Sequence, residues 1–352
     1  MGRLVALTGA LAAAVAVASP CPAGQIPAPA FSPASTTWAV SIVLPERIEA
    51  GRPATLAVLG VDGRLAPYTK VELDDGQTLT TDSTGRAFFT APAGREFLIA
   101  KGSGASAAAL IDPARVADTR SPSVSLPGVI SAHDRFWICG AGLRGDSDAN
   151  HVTINGQLAL VLAASPSCLT VVPGPYVGAG LSVVSVDAPG GHWSAPTTVV
   201  FLEFDKPNPP LRPGKKGRME VRVRGSEEKL ALTIENRSPG VIEFTRGDAR
   251  DVETSGGENN VASFPVRVIR SGDFSFRARL IAAAQPEIAA RYLKCAAGLA
   301  PKDLQKDVSN LSERLSARPR DAAAVAADLD ALIVKTITGD FRTVLEAARA
   351  SL

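Results

Sequence analysis

The residues best able to do chemistry lie close together. Gly140, Gly142 and Gly145 follow a β-patterned run and match G-x-G-x-x-G. That turn lays a dinucleotide pyrophosphate on the N-terminus of the next helix. Here residues 146–150 lead instead into Val152, Thr153 and Ile154, a β-branched run. The glycines therefore read as a tight corner, not a cofactor cradle. The same loop carries Asp146, Asp148 and Asn150, the first half of a calcium-loop pattern. Such a loop needs glycine where His151 stands and a bidentate glutamate where Gln157 stands, so a solvated turn is the stronger reading. The three histidines, His133, His151 and His192, are far apart in sequence. No H-E-x-x-H, C-x-x-C or G-x-S-x-G organises a metal or a nucleophile. No catalytic, cofactor-binding or metal-binding set is assigned, and the chain reads as a non-enzyme.

Length and composition bound the elements that hold these residues. A chain of 352 residues with 45% hydrophobic content suits two or three globular domains, or more if they are small sandwiches. Lys and Arg total 37 against 35 Asp and Glu, for a net charge of +2. That balance lacks the concentrated basic excess of a nucleic-acid binder, and few aromatics are present to stack bases. Arg3 precedes an apolar run over residues 4–18, followed by small residues. This is the layout of a secretory signal, expected over residues 1–23. A lipid anchor on Cys21 fits less well, because Ala18, Ser19 and Pro20 depart from the usual lipoprotein pattern. No later segment is long and apolar enough to cross a bilayer. The mature chain is expected to be soluble and secreted, periplasmic or at the cell surface. A Pro/Ala-rich leader, expected to be poorly ordered, covers residues 24–37.

Alternating apolar and polar residues then mark short strands bounded by Gly, Pro and Asn. Residues 122–204 carry an opening Pro122-x-Val124, the corner from Cys139 to Leu143, and Asn150-x-Val152-x-Ile154-Asn155-Gly156. In these marks the stretch resembles the IPT/TIG branch of the immunoglobulin-like folds. The resemblance implies a β-sandwich and is nearly silent on activity. Residues 38–112 carry Thr81-Asp82-x-x-Gly85-x-Ala87 and an Asp62-Gly63 turn, and resemble a bacterial Ig-like or prealbumin-like module. Residues 215–281 read as a third, general Ig-like sandwich after a proline-rich linker. The period becomes helical from residue 282, with stripes through Tyr292, Leu311 and Leu329. Gly298, Pro301 and Pro319 divide helices there, and Gly339 offers one more break. The expected fold class is mainly β, three Ig-like sandwiches in series followed by a helical bundle or hairpin over 282–352. The units are expected to fold independently. The helical stripes either form a bundle core or dock on the preceding sandwich, with a partner groove or homodimer as the alternative. Two Asn-x-Ser triplets, at Asn236 and Asn310, read as ordinary turn and helix residues.

Four cysteines suit an oxidising compartment. Cys139 ends one strand and Cys168 opens another, and in a sandwich those strands could face each other across the core. A bridge would close a loop of roughly 30 residues, worth about 3–4 kcal/mol. Two separate buried thiols are the alternative. Cys295, in an apolar helical stretch, reads as an inert core thiol.

In the third sandwich, Arg222 and Arg224 alternate with Val221 and Val223, and Arg277 and Arg279 alternate with Phe276 and Ala278. If these strands pair, the four arginines gather on one sheet face, joined by Arg267, and suit anionic groups on an acidic polysaccharide. An ordinary charged face neutralised by Glu220, Glu228 or Glu235 is the competing reading. The function expected is a non-catalytic modular protein of extracellular binding, adhesion or scaffolding. Its partner would be an unidentified protein or glycan, without nucleic acid. The alternative is an accessory part of an extracellular polysaccharide-processing system.

Overall fold

A computed structural model describes residues 41–114, 124–207, 210–244, 249–281, 285–318, 322–336 and 339–352. The expected signal, the leader, Trp38 and most of the link over 113–121 lie outside the described residues. Thr36–Leu352 form one compact unit. The chain is mainly β with a helical C-terminal segment.

The first sandwich contains β1 (Ser41–Val43), β2 (Arg47–Glu49), β3 (Pro53–Leu59), β4 (Lys70–Leu73), β5 (Thr78–Thr80), β6 (Arg86–Thr90), β7 (Phe97–Gly102) and β8 (Ala105–Asp112). One layer pairs β1, β3 and β6, and the other runs β2-β8-β7-β4-β5. Ala54, Leu56 and Val58 face the core between them, with Val71, Leu98 and Ala109. Thr55 and Ala57 are buried too, so β3 is covered on both faces. Its second cover is the next sandwich.

That sandwich contains β9 (Val124–Ser125), β10 (Val129–Ser131), β11 (Phe136–Gly140), β12 (His151–Ile154), β13 (Gln157–Ala164), β14 (Cys168–Val172), β15 (Gly180–Ala188) and β16 (Gly191–Phe204). One layer runs β9-β11-β14-β13 and the other β13-β12-β15-β16-β10. Strand β13 serves both because a register shift between Val161 and Ala163 bends it. Beyond the bend, Ala164 pairs with Thr55 of β3. Val43, Ala57, Leu162 and Ala163 form a small apolar cluster at this seam. Around it, Thr170 Oγ1 donates to Leu44 O at 3.2 Å and Ser165 Oγ to Arg47 O at 2.6 Å.

The third sandwich contains β17 (Lys216–Arg224), β18 (Ala231–Asn236), β19 (Ile242–Glu243), β20 (Ala249–Glu253), β21 (Val261–Val268) and β22 (Phe276–Leu280). Its layers are β16-β17-β21-β19 and β20-β18-β22. Strand β16 is therefore common to two sandwiches. Residues 191–199 pair with β15 in the second, and residues 201–204 pair with β17 in the third. Fully buried Phe264 anchors the third core, edge-on to Phe204, Phe244 and Phe276. Asn236 is buried, and its Nδ2 donates to Ile242 O at 2.6 Å, so it is a turn residue of this core.

Among the described residues the C-terminal segment has four helices, α1 (Pro286–Leu299), α2 (Gln305–Ala317), α3 (Ala322–Lys335) and α4 (Asp340–Ala350). Pro286 opens α1, where its missing N–H costs nothing. The stripe running through Leu329 and Val344 is split between α3 and α4. Gly339 has φ 146°, a conformation open to glycine, and it precedes α4. The helices pack their apolar stripes on each other and on Ile99 and Leu110 of the first sandwich. They dock on the sandwich most distant in sequence, not on the one just before them. Tyr292 Oη donates to Ala108 O and Glu46 O, both at 3.4 Å, and Arg291 pairs with Asp112 at 2.7 Å. Arg349 reaches Asp251 of β20 at 2.8 Å, so the segment also touches the third sandwich.

Candidate functional site

The glycine-rich corner is a contact between sandwiches. A β-carbon on Gly145 would lie 1.9 Å from Pro53 O, and Thr55 Oγ1 donates to Gly145 O at 2.5 Å. After the corner comes a single 3-10 turn, Ser147–Ala149, followed directly by β12. Asp146 caps that turn by accepting from Asp148 N at 3.0 Å. Asn150 is buried, its Oδ1 accepting from Arg144 N and its Nδ2 donating to Arg144 O and Asp146 O. Asp148 faces Arg86 of the first sandwich at 3.4 Å. The loop's polar groups thus close the loop and the seam.

Cys139 and Cys168 are bridged, with their Cα atoms 4.1 Å apart. They are direct partners on adjacent strands β11 and β14 of one layer. The bridge therefore lies within a sheet, which corrects the expectation of strands facing across the core. A register at one-residue resolution was needed to distinguish the two arrangements. Glu46 lies against this bridge, buried, with Gln285 Nε2 donating to its Oε1 at 3.3 Å. Burial pushes the Glu46 carboxyl above its usual range, opposed by Arg47 and the Gln285 contact. The sulfurs are bonded to each other, so this trio offers no thiolate to a metal. Cys295 is free and buried, and burial, with Glu96 beside it, raises its thiol to about 11. At that value it carries almost no thiolate at neutral pH.

The four arginines do not share a face. Strands β17 and β22 belong to different layers, so Arg222 and Arg224 stand on one and Arg277 and Arg279 on the other. Arg222 pairs with Asp205 at 2.9 Å and Arg224 with Glu203 at 3.0 Å. Arg277 meets Asp134 at 2.8 Å, and Arg279 meets Glu235 at 2.8 Å and Asp134 at 3.6 Å. Arg267 faces Glu243 at 3.4 Å. The neutralising acids are mostly not those the sequence suggested, since Asp205, Glu203 and Asp134 come from neighbouring elements. Asp134 belongs to the second sandwich, so Arg277 and Arg279 help hold the second and third together.

Between the β7–β8 turn and the start of α4 lies an open groove of about 530 Å³. Its charges are matched in place: Lys70 pairs with Glu72 at 2.7 Å and Lys101 with Asp340. On the second sandwich, Leu158, Leu160, Leu181 and Val183 project from the outer face of β13 and β15 into solvent. His133 lies edge-on to Phe201, 5.1 Å between centroids. His151 and His192, distant in sequence, are both brought beside Asp187. Asp187 and His192 are joined by one local hairpin, whereas the place of His151 beside Asp187 depends on the pairing of β12 with β15 and had no local signal.

The second sandwich, with its corner, its bent strand and its disulfide, has a recognisable type. Residues 121–201 match the IPT/TIG domain. An IPT/TIG domain and further Ig-like sandwiches are thus present, and folds of this kind serve structural and adhesive roles, not catalytic ones. No curated protein matches the chain. Among solved structures, it is similar to the full extracellular region of plexin A4 at 12% identity, covering 73% of this chain and 24% of that one, with a TM-score of 0.28. The chain spans about a quarter of that region's length. It is similar to SGBP-B of the Bacteroides ovatus mixed-linkage glucan utilization locus, in complex with a mixed-linkage heptasaccharide, at 14% identity, covering 67% and 72%, with a TM-score of 0.24. The four N-terminal Ig domains of Dscam1 give 10% identity, 65% and 71% coverage, and a TM-score of 0.22. At these scores the whole-chain arrangements do not superpose. Among the described residues no helix is long and apolar enough to cross a membrane.

Proposed function

We propose that the chain works outside the cytoplasm as a non-catalytic modular protein, a binding scaffold that holds three sandwiches in fixed relation. The observation that carries this reading is strand β16, which is hydrogen-bonded into two sandwiches at once. A shared strand leaves no flexible linker at that junction, and the β3–β13 pairing ties the first sandwich to the second. Contacts within one continuous sheet resist relative motion far more than the small polar interfaces usual between domains. Secretion is supported by the charged and apolar N-terminal layout and by the Cys139–Cys168 bridge, a bond that persists in oxidising compartments.

The test is fractionation of cells expressing the whole chain, with thiol trapping before lysis. The reading expects a processed chain outside the cytoplasm, with Cys139 and Cys168 protected from alkylation. A cytoplasmic chain with both thiols reactive would refute it.

A further inference from the structure

We propose that Arg135, Arg277 and Arg279 form a binding site for a tetrahedral oxyanion group, sulfate or phosphate, at the junction of the second and third sandwiches. Arg277 and Arg279 alternate with Ala278 on β22, so they project from one face of that strand. Asp134 gathers both, meeting Arg277 at 2.8 Å and Arg279 at 3.6 Å. Glu235 joins them, as the direct strand partner of Arg277 and 2.8 Å from Arg279, and it also holds Arg237. Arg135 follows Asp134 in the turn between β10 and β11, and its backbone N–H donates to Asp134 Oδ1 at 2.9 Å. Arg222 and Arg224, on the other layer, have no part in this set.

The balance of charge and exposure favours an anion. Arg135, Arg237, Arg277 and Arg279 surround two carboxylates, those of Asp134 and Glu235. The acids lie deeper: their side chains are 16% and 21% exposed, against 38% and 36% for Arg277 and Arg279. The surface that solvent meets is therefore positive. Among the described residues, no ion pair or side-chain hydrogen bond engages the Arg135 guanidinium. Burial among protein atoms, then the charge of Arg279, hold it below its ordinary pKa, with Arg277 adding to them against Asp134 and Glu235. Solvent nonetheless reaches the side chain. A cation crowded by protein yet open to water lines a recess, and a bound anion offsets both its burial and the repulsion around it.

Guanidinium suits such a ligand, because it is planar, always charged, and offers five N–H donors in a fork that matches oxyanions. The acids engage only Nη2 of Arg277 and Nε and Nη1 of Arg279, so donors of both remain for a ligand. The frame is rigid. Ala132 N donates to Val200 O at 2.9 Å, tying the turn to β16 where that strand passes from one sandwich to the next. His133 N donates to Ser131 Oγ at 3.3 Å and closes the turn. Groups held on rigid elements lose little freedom on binding, which favours affinity. The site depends only on this junction, whatever compartment the chain works in.

The experiment is equilibrium dialysis of the disulfide-intact full chain against labelled inorganic sulfate and, separately, labelled inorganic phosphate, with ionic strength held constant by sodium chloride. One site is expected, with a dissociation constant on the order of 1 mM at low salt. Arg135→Gln should weaken binding by at least about tenfold, the loss usual for a charged hydrogen bond. Arg218→Gln removes an equal charge from the other layer and should leave binding unchanged. Urea unfolding confirms that Arg135→Gln is folded, as loss of an exposed, unpaired side chain predicts. A sulfated monosaccharide, dialysed in the same way, separates the sources: tighter binding than inorganic sulfate marks a sulfate ester as the ligand, and weaker binding marks the free anion, both through Arg135. Absence of binding by the native chain at about 10 mM sulfate and phosphate would overturn the proposal, as would unchanged binding in the folded Arg135→Gln variant.

Discussion

Gly145→Ala adds one methyl group where the second sandwich's corner touches the backbone of the first. The new β-carbon would lie 1.9 Å from Pro53 O, 2.5 Å from Pro53 C and 3.1 Å from Ala54 N. All three atoms belong to backbone, so no side chain can swing aside, and the seam must open by more than an ångström. Opening breaks the Thr55–Gly145 hydrogen bond, worth about 1 kcal/mol net. It also stretches the bond from the buried Arg86 Nη2 to Val161 O, now 2.7 Å, a charged donor worth about 1.5–3 kcal/mol. The expected loss is about 2–4 kcal/mol, above the usual range for one added methylene in a core only if both bonds fail. Gly128→Ala is the control, because it has open space and an ordinary φ, and should change stability by less than about 0.5 kcal/mol. Urea unfolding gives both values, and amide exchange should show faster exchange in β3 and the second half of β13. Gly145→Ala unfolding within about 0.5 kcal/mol of the native chain would refute the close seam.

Two further outcomes follow. Cys139→Ser/Cys168→Ser should cost about 3.6 kcal/mol from loop closure over the 29-residue separation, read from urea midpoints against the oxidised native chain. Glu46→Gln tests the buried carboxyl. Its folded pKa is raised, so the proton-linked stability is fully present below the ordinary value of 4.5 and is lost as pH rises through the raised value. The variant should therefore gain stability relative to native at pH 7, and that advantage should vanish near pH 4. A pH-independent difference between the two proteins would contradict this.

How much could be read from the sequence depended on the range of each interaction. Period-two runs such as residues 219–224 marked strands, because alternation is set by the local pleat. The change to helical spacing near residue 282 was equally plain. The Cys139–Cys168 pairing was legible as a pair, but its place within one layer required the β11–β14 register. The arginine prediction failed at the same level. Alternation correctly sent Arg222 outward on β17. Every residue of β22 is half-buried, however, and Arg277 lies against Asp134 of the second sandwich, because membership of a sheet is decided by distant partners. Gly145 looked like part of a motif because its real partner, Pro53, lies 92 residues away in sequence. Tyr292 gave no sign that it would dock beside Ala108, since any amphipathic helix face fits several apolar surfaces. The continuous burial of β3 and of residues 161–164 in β13 marks the seam in the structure, as half-buried strands alternate and doubly covered ones do not.

The chain folds back on itself, its C-terminal helices docked on the first sandwich. Ser106 of β8 and Thr343 of α4 touch through their hydroxyls, 2.6 Å apart, across 237 residues. Ser106→Cys combined with Thr343→Cys, in a Cys295→Ser background, tests that contact. On mild oxidation a new intramolecular disulfide is expected, mapped as one peptide pair, alongside the Cys139–Cys168 bridge. Two freely alkylating cysteines in the folded, oxidised protein would contradict it.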